Sequence, residues 1–219
     1  PPPTPPPPPL PLHDALPISQ VLPGIADDRA VVVMYGDVPL IRHATLAALL
    51  ADAIRGEIGL LTAELDQPAG YGRIVRDDHG QITAIIEEKD ASDAQRLIRE
   101  INTGFMAAPA DRLRGWVAAL DNNNAQGEFY LTDVIALAVR DGVKVGTVTT
   151  QDPHEILGVN DRMQLAELER CYQRQQAETC MQCGVTLIDP ARFDLRGTLQ
   201  AGEDVVIDVN AVLEGEVVL

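Results

Sequence analysis

The apolar run Val31-Val32-Val33-Met34 empties into Tyr35-Gly36-Asp37-Val38-Pro39-Leu40, which sets one carboxylate at the C-terminal end of a strand that reads as buried and parallel. In open α/β sheets, ligands sit at that end. A lone carboxylate there can hold Mg²⁺, because this cation dehydrates reluctantly and takes one or two carboxylates while nucleotide phosphates complete its shell. Asp37 could equally begin the turn that Pro39 continues. Its role therefore depends on what accompanies it.

What accompanies it comes in a fixed order: Gly70-Tyr71-Gly72-Arg73-Ile74, Ile86-Glu87-Glu88-Lys89-Asp90, Ile101-Asn102-Thr103-Gly104, Gly127-Glu128-Phe129-Tyr130-Leu131-Thr132-Asp133 and Gly158-Val159-Asn160. From about Gln20 to Leu219 this succession resembles the uridylyltransferase half, and the entry into the second half, of one bacterial enzyme family. Those bifunctional enzymes acetylate glucosamine-1-phosphate with acetyl-CoA and couple N-acetylglucosamine-1-phosphate to UTP, supplying precursors of cell wall and lipopolysaccharide. Among sugar-phosphate nucleotidyltransferases, Asn122 to Glu128 and Asp189 to Gly197 resemble this subgroup in particular.

The resemblance implies the chemistry. A phosphate oxygen of the sugar-1-phosphate attacks the α-phosphorus of UTP in line, so the protein must align two anions and offset their charge. Asp37 and Asn160 are implied as ligands of the catalytic Mg²⁺; Asn160 could also cap the helix that starts just after it. Tyr35, Gly36, Gly72, Glu87, Asn102, Thr103, Tyr130 and Thr132 are implied, with the two metal ligands, as the substrate-binding set. Gly72 lets backbone approach a ligand with no Cβ between. Glu87 can accept from sugar hydroxyls, and Asn102 offers donor and acceptor to hydroxyl and acetamido groups. The plainer readings are a turn glycine, a solvated charge, an Asx turn and, for Tyr130, packing at a helix start. His43, His79 and His154 match no catalytic position and are expected on the surface.

The chain departs from the family in lacking the Gly-rich strand-to-helix loop of the type Leu-x-x-Gly-x-Gly-Thr-x-Met, and with it the backbone donors for a triphosphate. It also lacks the distal acetyltransferase coils. It therefore reads as an internal fragment, expected to be inactive in uridylyl transfer by itself. Two other readings stand beside this one: a non-catalytic module that organises a trimer, and a nucleotidyltransferase for another sugar-1-phosphate.

Composition sets the limits. The chain has 219 residues, 46% hydrophobic, with a net charge of −16 that argues against nucleic-acid or anionic-membrane partners. No segment approaches a membrane span, nor is there a signal-peptide pattern, so a cytoplasmic protein is expected. Three cysteines, two of them in Cys180-Met181-Gln182-Cys183, make no disulfide framework. Ten of the 16 prolines fall between Pro1 and Pro17. Residues 1–19 accordingly read as a disordered segment unable to form a helix, a translated adapter or cloning scar rather than a Pro-rich ligand.

Residues 20–160 alternate strands and helices, and the expected fold is α/β: an incomplete, Rossmann-like nucleotidyltransferase domain with a mostly parallel sheet. Residues 161–184 read as a connecting helix. From 185 to 219, Ile207, Leu213 and Leu219 recur every six residues, as do Val205, Ala211 and Val217, so both series should point inward. That is the period of a left-handed parallel β-helix, of which these would be the first coils. The full-length parent is expected to be a homotrimer.

Overall fold

Residues Ile101 to Ala108 are all apolar, small or singly polar, and in the computed structural model, which describes residues 15–219, they form the buried interior of a ten-residue strand, β5 (Glu100–Pro109). One edge of β5 carries β2 (Ile58–Glu64), antiparallel. The other edge is shared: β3 (Arg73–Arg76) meets its start at Ile101, and β1 (Ala30–Val33) pairs antiparallel with its end, Val33 facing Met106. Beyond these, β4 (Ile82–Ile86) lies antiparallel to β3, and β6 (Val145–Thr150) parallel to β2.

The sheet is thus mixed and has helices packed on it, as an α/β Rossmann-like fold requires, but the expectation of a mostly parallel sheet is corrected. Among the described pairings of this sheet only β2 with β6 is parallel. The strand–helix–strand alternation is real, since β1, α2 (His43–Ile54) and β2 follow in that order. However, β5 lies between β1 and β2 and runs against both. Period and propensity say nothing about a strand arriving later in the chain to fill that place.

Alternation along the strands sends side chains to two faces. Leu61, Phe105 and Ala107 pack with Leu49 and Ala53 of α2 on one face. Leu60, Met106 and Ala108 pack on the other with Leu113, Trp116, Val134 and Ile135, from α4 (Ala110–Ala118) and α5 (Asp133–Arg140). Strand β1 is paired on one edge only among the described residues, and all four of its residues are half-buried. His43, His79 and His154 are exposed, as expected.

The Pro-rich residues 1–14 lie outside the described residues, but the expected structureless stretch to residue 19 is not found. Leu16–Val21 forms a helix, α1. Pro17 lies in its first turn, where no amide proton is required for an intrahelical bond. Buried Ala15 donates its N–H to the Phe129 carbonyl at 3.1 Å.

A second unit begins at Val159. Its helix α6 (Arg162–Gln182) is capped by Asp161, whose side chain accepts the Gln164 N–H at 2.8 Å, so the capping role considered for Asn160 belongs to its neighbour. Strands β8 (Phe193–Gln200) and β10 (Ala211–Val218) pair in parallel, Phe193 opposite Ala211 eighteen residues on. The short β7 (Thr186–Leu187) and β9 (Val206–Ile207) pair in the same sense. Buried Gln173 of α6 ties helix to sheet, donating to the Leu195 carbonyl at 3.2 Å and accepting its N–H at 2.7 Å. The inward series extends back through Leu199, Phe193 and Leu187, all packed with Val205 and Ala211. In the other series Ile207 is buried, whereas Leu219 is 51% exposed, against expectation. No described helix is long and apolar enough to cross a membrane.

Candidate functional site

The pairing of β2 with β5 slips in its middle. Leu60 faces Met106 and Thr62 faces Asn102, so Leu61 alone spans Thr103, Gly104 and Phe105. This bulge satisfies its own polar groups: the Thr103 hydroxyl donates to the Leu61 carbonyl at 2.8 Å, and the Gly104 N–H donates to Asn102 Oδ1 at 3.1 Å. Gly104 has φ +89°, a conformation that favours glycine. On the opposite edge of β5, the pairing with β3 ends where the Asn102 N–H donates to the Gly72 carbonyl at 2.8 Å, and the pairing with β1 resumes only at Met106. The sheet therefore opens at Thr103–Phe105, between the strand ends that carry Gly72 and Tyr35.

A shallow depression, open to solvent, lies against this bulge, lined by Asn102, Gly104, Thr132 and Leu131 together with Leu60 and Ile85. Beside it a Cβ built on Gly72 would stand 3.4 Å from Glu87 Oε1. The Thr132 hydroxyl donates to the same oxygen at 2.8 Å. Gly72, Glu87, Asn102, Thr103 and Thr132, spread over 60 residues of sequence, are thus gathered at one bulge. Tyr130 is buried nearby, its phenol accepting from Gln126 Nε2 at 3.0 Å and bonding Asp90.

Burial raises the Glu87 carboxyl above the ordinary range; the Thr132 bond opposes the shift, and Asp133 and Asp90 add to it. Burial likewise raises Asp133, with Asp121 and Asp90 adding. Tyr35 is raised strongly, first by burial and then by the charges of Glu87 and Asp37. Its ring stands edge-on to Phe105 with centroids 5.8 Å apart. Tyr35 therefore lies within electrostatic reach of both the Glu87 and the Asp37 carboxylates. Gly36 and Asp37 are exposed, and the Asp37 carboxylate accepts no hydrogen bond or ion pair among the described residues. A Cβ on Gly158 would meet its Oδ2 at 3.5 Å. Asn160 belongs to the second unit, where it is exposed and donates its N–H to Gln164 Oε1 at 2.6 Å.

Two buried charges escaped the sequence reading. Glu155 accepts from the Arg42 N–H at 3.1 Å, from the Thr45 hydroxyl and from the Thr150 hydroxyl at 2.6 Å, tying the start of α2 to the segment that leads to Gly158. Arg73 is buried directly after Gly72. Nothing in a single sequence distinguishes either from a solvated surface charge.

The Glu87 carboxyl is expected to titrate above its ordinary 4.5 in a carbon-detected pH titration, and higher still in Thr132→Val, which removes the opposing bond. Because the folded pKa is raised, ionising Glu87 costs the fold. Its contribution to stability is whole below the ordinary carboxylate value and is lost as pH rises through the folded pKa. Titration at or below 4.5 would contradict burial as the cause.

No protein-family model matches the chain. Over 202 residues it is 57% identical to the bifunctional protein GlmU of Alkalilimnicola ehrlichii and to that of Pseudomonas putida, matching 92% of this chain and 43% and 44% of those proteins. The GlmU of Methylococcus capsulatus is 53% identical over 203 residues, again 92% of this chain and 44% of the relative. A Bacillus anthracis structure provisionally named a glucose-1-phosphate thymidylyltransferase, solved with sucrose, superposes with a TM-score of 0.47 at 15% identity, over 69% of this chain and 57% of that one. At that score the likeness does not establish a shared fold. The chain spans less than half the length of the curated relatives, and over the residues matched it belongs with the GlmU-type proteins.

Proposed function

We propose that the first unit carries the sugar-phosphate side of a uridylyltransferase that joins N-acetylglucosamine-1-phosphate to UTP, giving UDP-N-acetylglucosamine and pyrophosphate. The observation that carries this reading is the Glu87 carboxylate, held beside Gly72 and Thr132 and next to Asn102 at the β5 bulge, in a chain 57% identical to GlmU proteins. A buried carboxylate accepts strongly from sugar hydroxyls, and the Asn102 amide adds a donor and an acceptor for an acetamido group. Gly72 leaves room for the ring, and Tyr35, Gly36, Thr103 and Tyr130 complete the walls.

The Asp37 carboxylate, exposed and without a hydrogen bond among the described residues, has the free oxygens that a hard divalent cation takes. No described group of three or more His, Cys, Asp or Glu is placed to hold a metal, but Mg²⁺ shared with phosphates requires none. Asp37 with Asn160 would hold it, and when bound it would neutralise charge on the reacting phosphates. The eighteen-residue parallel register of the second unit supports a β-helix, as in the acetyl-CoA-dependent half of the parent enzyme, a homotrimer acting in the cytoplasm.

Titrating the chain with N-acetylglucosamine-1-phosphate and Mg²⁺ tests the reading. Amide shifts are expected at Gly72, Asn102 and Thr132, with tighter binding than for glucose-1-phosphate. Equal binding of the two sugars, or shifts elsewhere, would count against it.

A further inference from the structure

Arg73 is 1% exposed yet charged, and it follows Gly72 directly. Its guanidinium turns back on the chain. One terminal nitrogen donates to the Tyr71 carbonyl, the other donates to Glu88 Oε2 at 2.6 Å, and Nε has no partner among the described residues. The same Glu88 oxygen accepts the Gly70 N–H at 3.4 Å, and Arg96 donates to the Glu88 carbonyl at 3.5 Å. One buried side chain therefore joins the loop Gly70–Gly72 to the end of β4, beside Glu87. The spacing it sets is tight, since a Cβ on Gly72 would stand 3.0 Å from Ile85 Cγ2 and 3.4 Å from Glu87 Oε1.

An ion pair with a buried guanidinium is a poor device for stability alone. Apolar replacements of similar size are often as good, and here an N–H is left unpaired besides. What the planar guanidinium provides is geometry, because it holds two acceptors at fixed positions. We propose that Arg73 and Glu88 are positioning residues for the sugar phosphate. They hold Gly72, and the Asn102 amide bonded to it, at the separation from the Glu87 carboxylate that the hydroxyls of an N-acetylhexosamine phosphate require. The proposal rests on the sugar reading of this cleft and adds to it the pair that sets its width.

The test compares the wild-type chain with Glu88→Gln and Arg73→Lys by amide hydrogen exchange, thermal melting and calorimetric titration with N-acetylglucosamine-1-phosphate. Glu88 has a side chain about one-third exposed, so Glu88→Gln is expected to fold and carries the test if Arg73→Lys does not. Expected in Glu88→Gln, under conditions where both proteins are folded, are about tenfold faster exchange at Gly70 and Asn102 and about tenfold weaker sugar-phosphate binding, together with a lowered melting midpoint, because buried Arg73 loses its carboxylate. A purely structural pair would lower the midpoint but leave the affinity of the folded protein unchanged, which overturns the proposal. So does wild-type affinity and exchange in Glu88→Gln. Absence of binding by the wild type would overturn the sugar reading, and the proposal with it.

Discussion

Gly59→Ala is expected to destabilise the first unit by about 3 kcal/mol, and Gly59→Val to leave it unfolded. A Cβ at Gly59 would stand 2.5 Å from the Leu49 carbonyl oxygen and 2.8 Å from Leu49 Cα. Both atoms belong to the backbone of α2, so no side-chain rotation relieves the overlap. The helix would have to lift off β2, opening the packing of Leu49 and Ala53 on Leu61, Phe105 and Ala107. Such overpacking costs typically about 1–3 kcal/mol, and a rigid backbone puts this site at the upper end. Gly115 is the control. It lies within α4, where a Cβ would meet nothing within 4 Å, so Gly115→Ala is expected to stabilise by about 0.5–1 kcal/mol through helix propensity. Urea unfolding of the three variants beside the wild type decides the matter; equal midpoints for Gly59→Ala and wild type would show that α2 yields more readily than its packing indicates.

Asp37→Ala is expected to weaken divalent-cation binding in the presence of UTP by about 10²-fold, on the reading that Asp37 supplies the only carboxylate to the metal. Mn²⁺ makes this measurable residue by residue, because it broadens nearby amide resonances. A chain with a net charge of −16 attracts cations over its whole surface, so bulk binding is uninformative and the signal has to be local. Broadening is expected at Tyr35 and Gly158 in the wild type and not in Asp37→Ala, with the exposed Asp208 indifferent to the substitution. Where uridylyl transfer is assayed, the loss should fall on kcat, because neutralising phosphate charge matters most as that charge shifts in the transition state. Broadening that persists at Tyr35 and Gly158 in the variant would remove Asp37 from the site.

The order of elements was legible because hydrophobic period is local. The run at Val31, the helix from His43, the strands near Gly59, Gly72 and Ile82 and the long helix after Asn160 each carry their own pattern, and each forms. The six-residue recurrence likewise gave the inward positions Val205, Ala211 and Leu213, since each faces the same core. Local pattern also limited the reading. Proline density suggested that nothing before Gln20 could be helical, yet Pro17 is accommodated in a first turn.

The candidate site residues were named in the sequence by type and family resemblance, but their meeting place was not. That place depends on a bulge in β5 and on two strands sharing one of its edges, features set by long-range pairing that no window of sequence contains. The same holds for Arg73 and Glu155. A charged residue reads as solvated unless the chain brings it partners, and theirs lie 15 residues away for Arg73 and up to 113 for Glu155. The sequence by itself determined which residues could do chemistry and which segments would be strand or helix, because propensity and period act over a few residues. Only the tertiary structure decided strand direction, the opening at Thr103–Phe105 and which charges are buried, because each is settled by what packs against it.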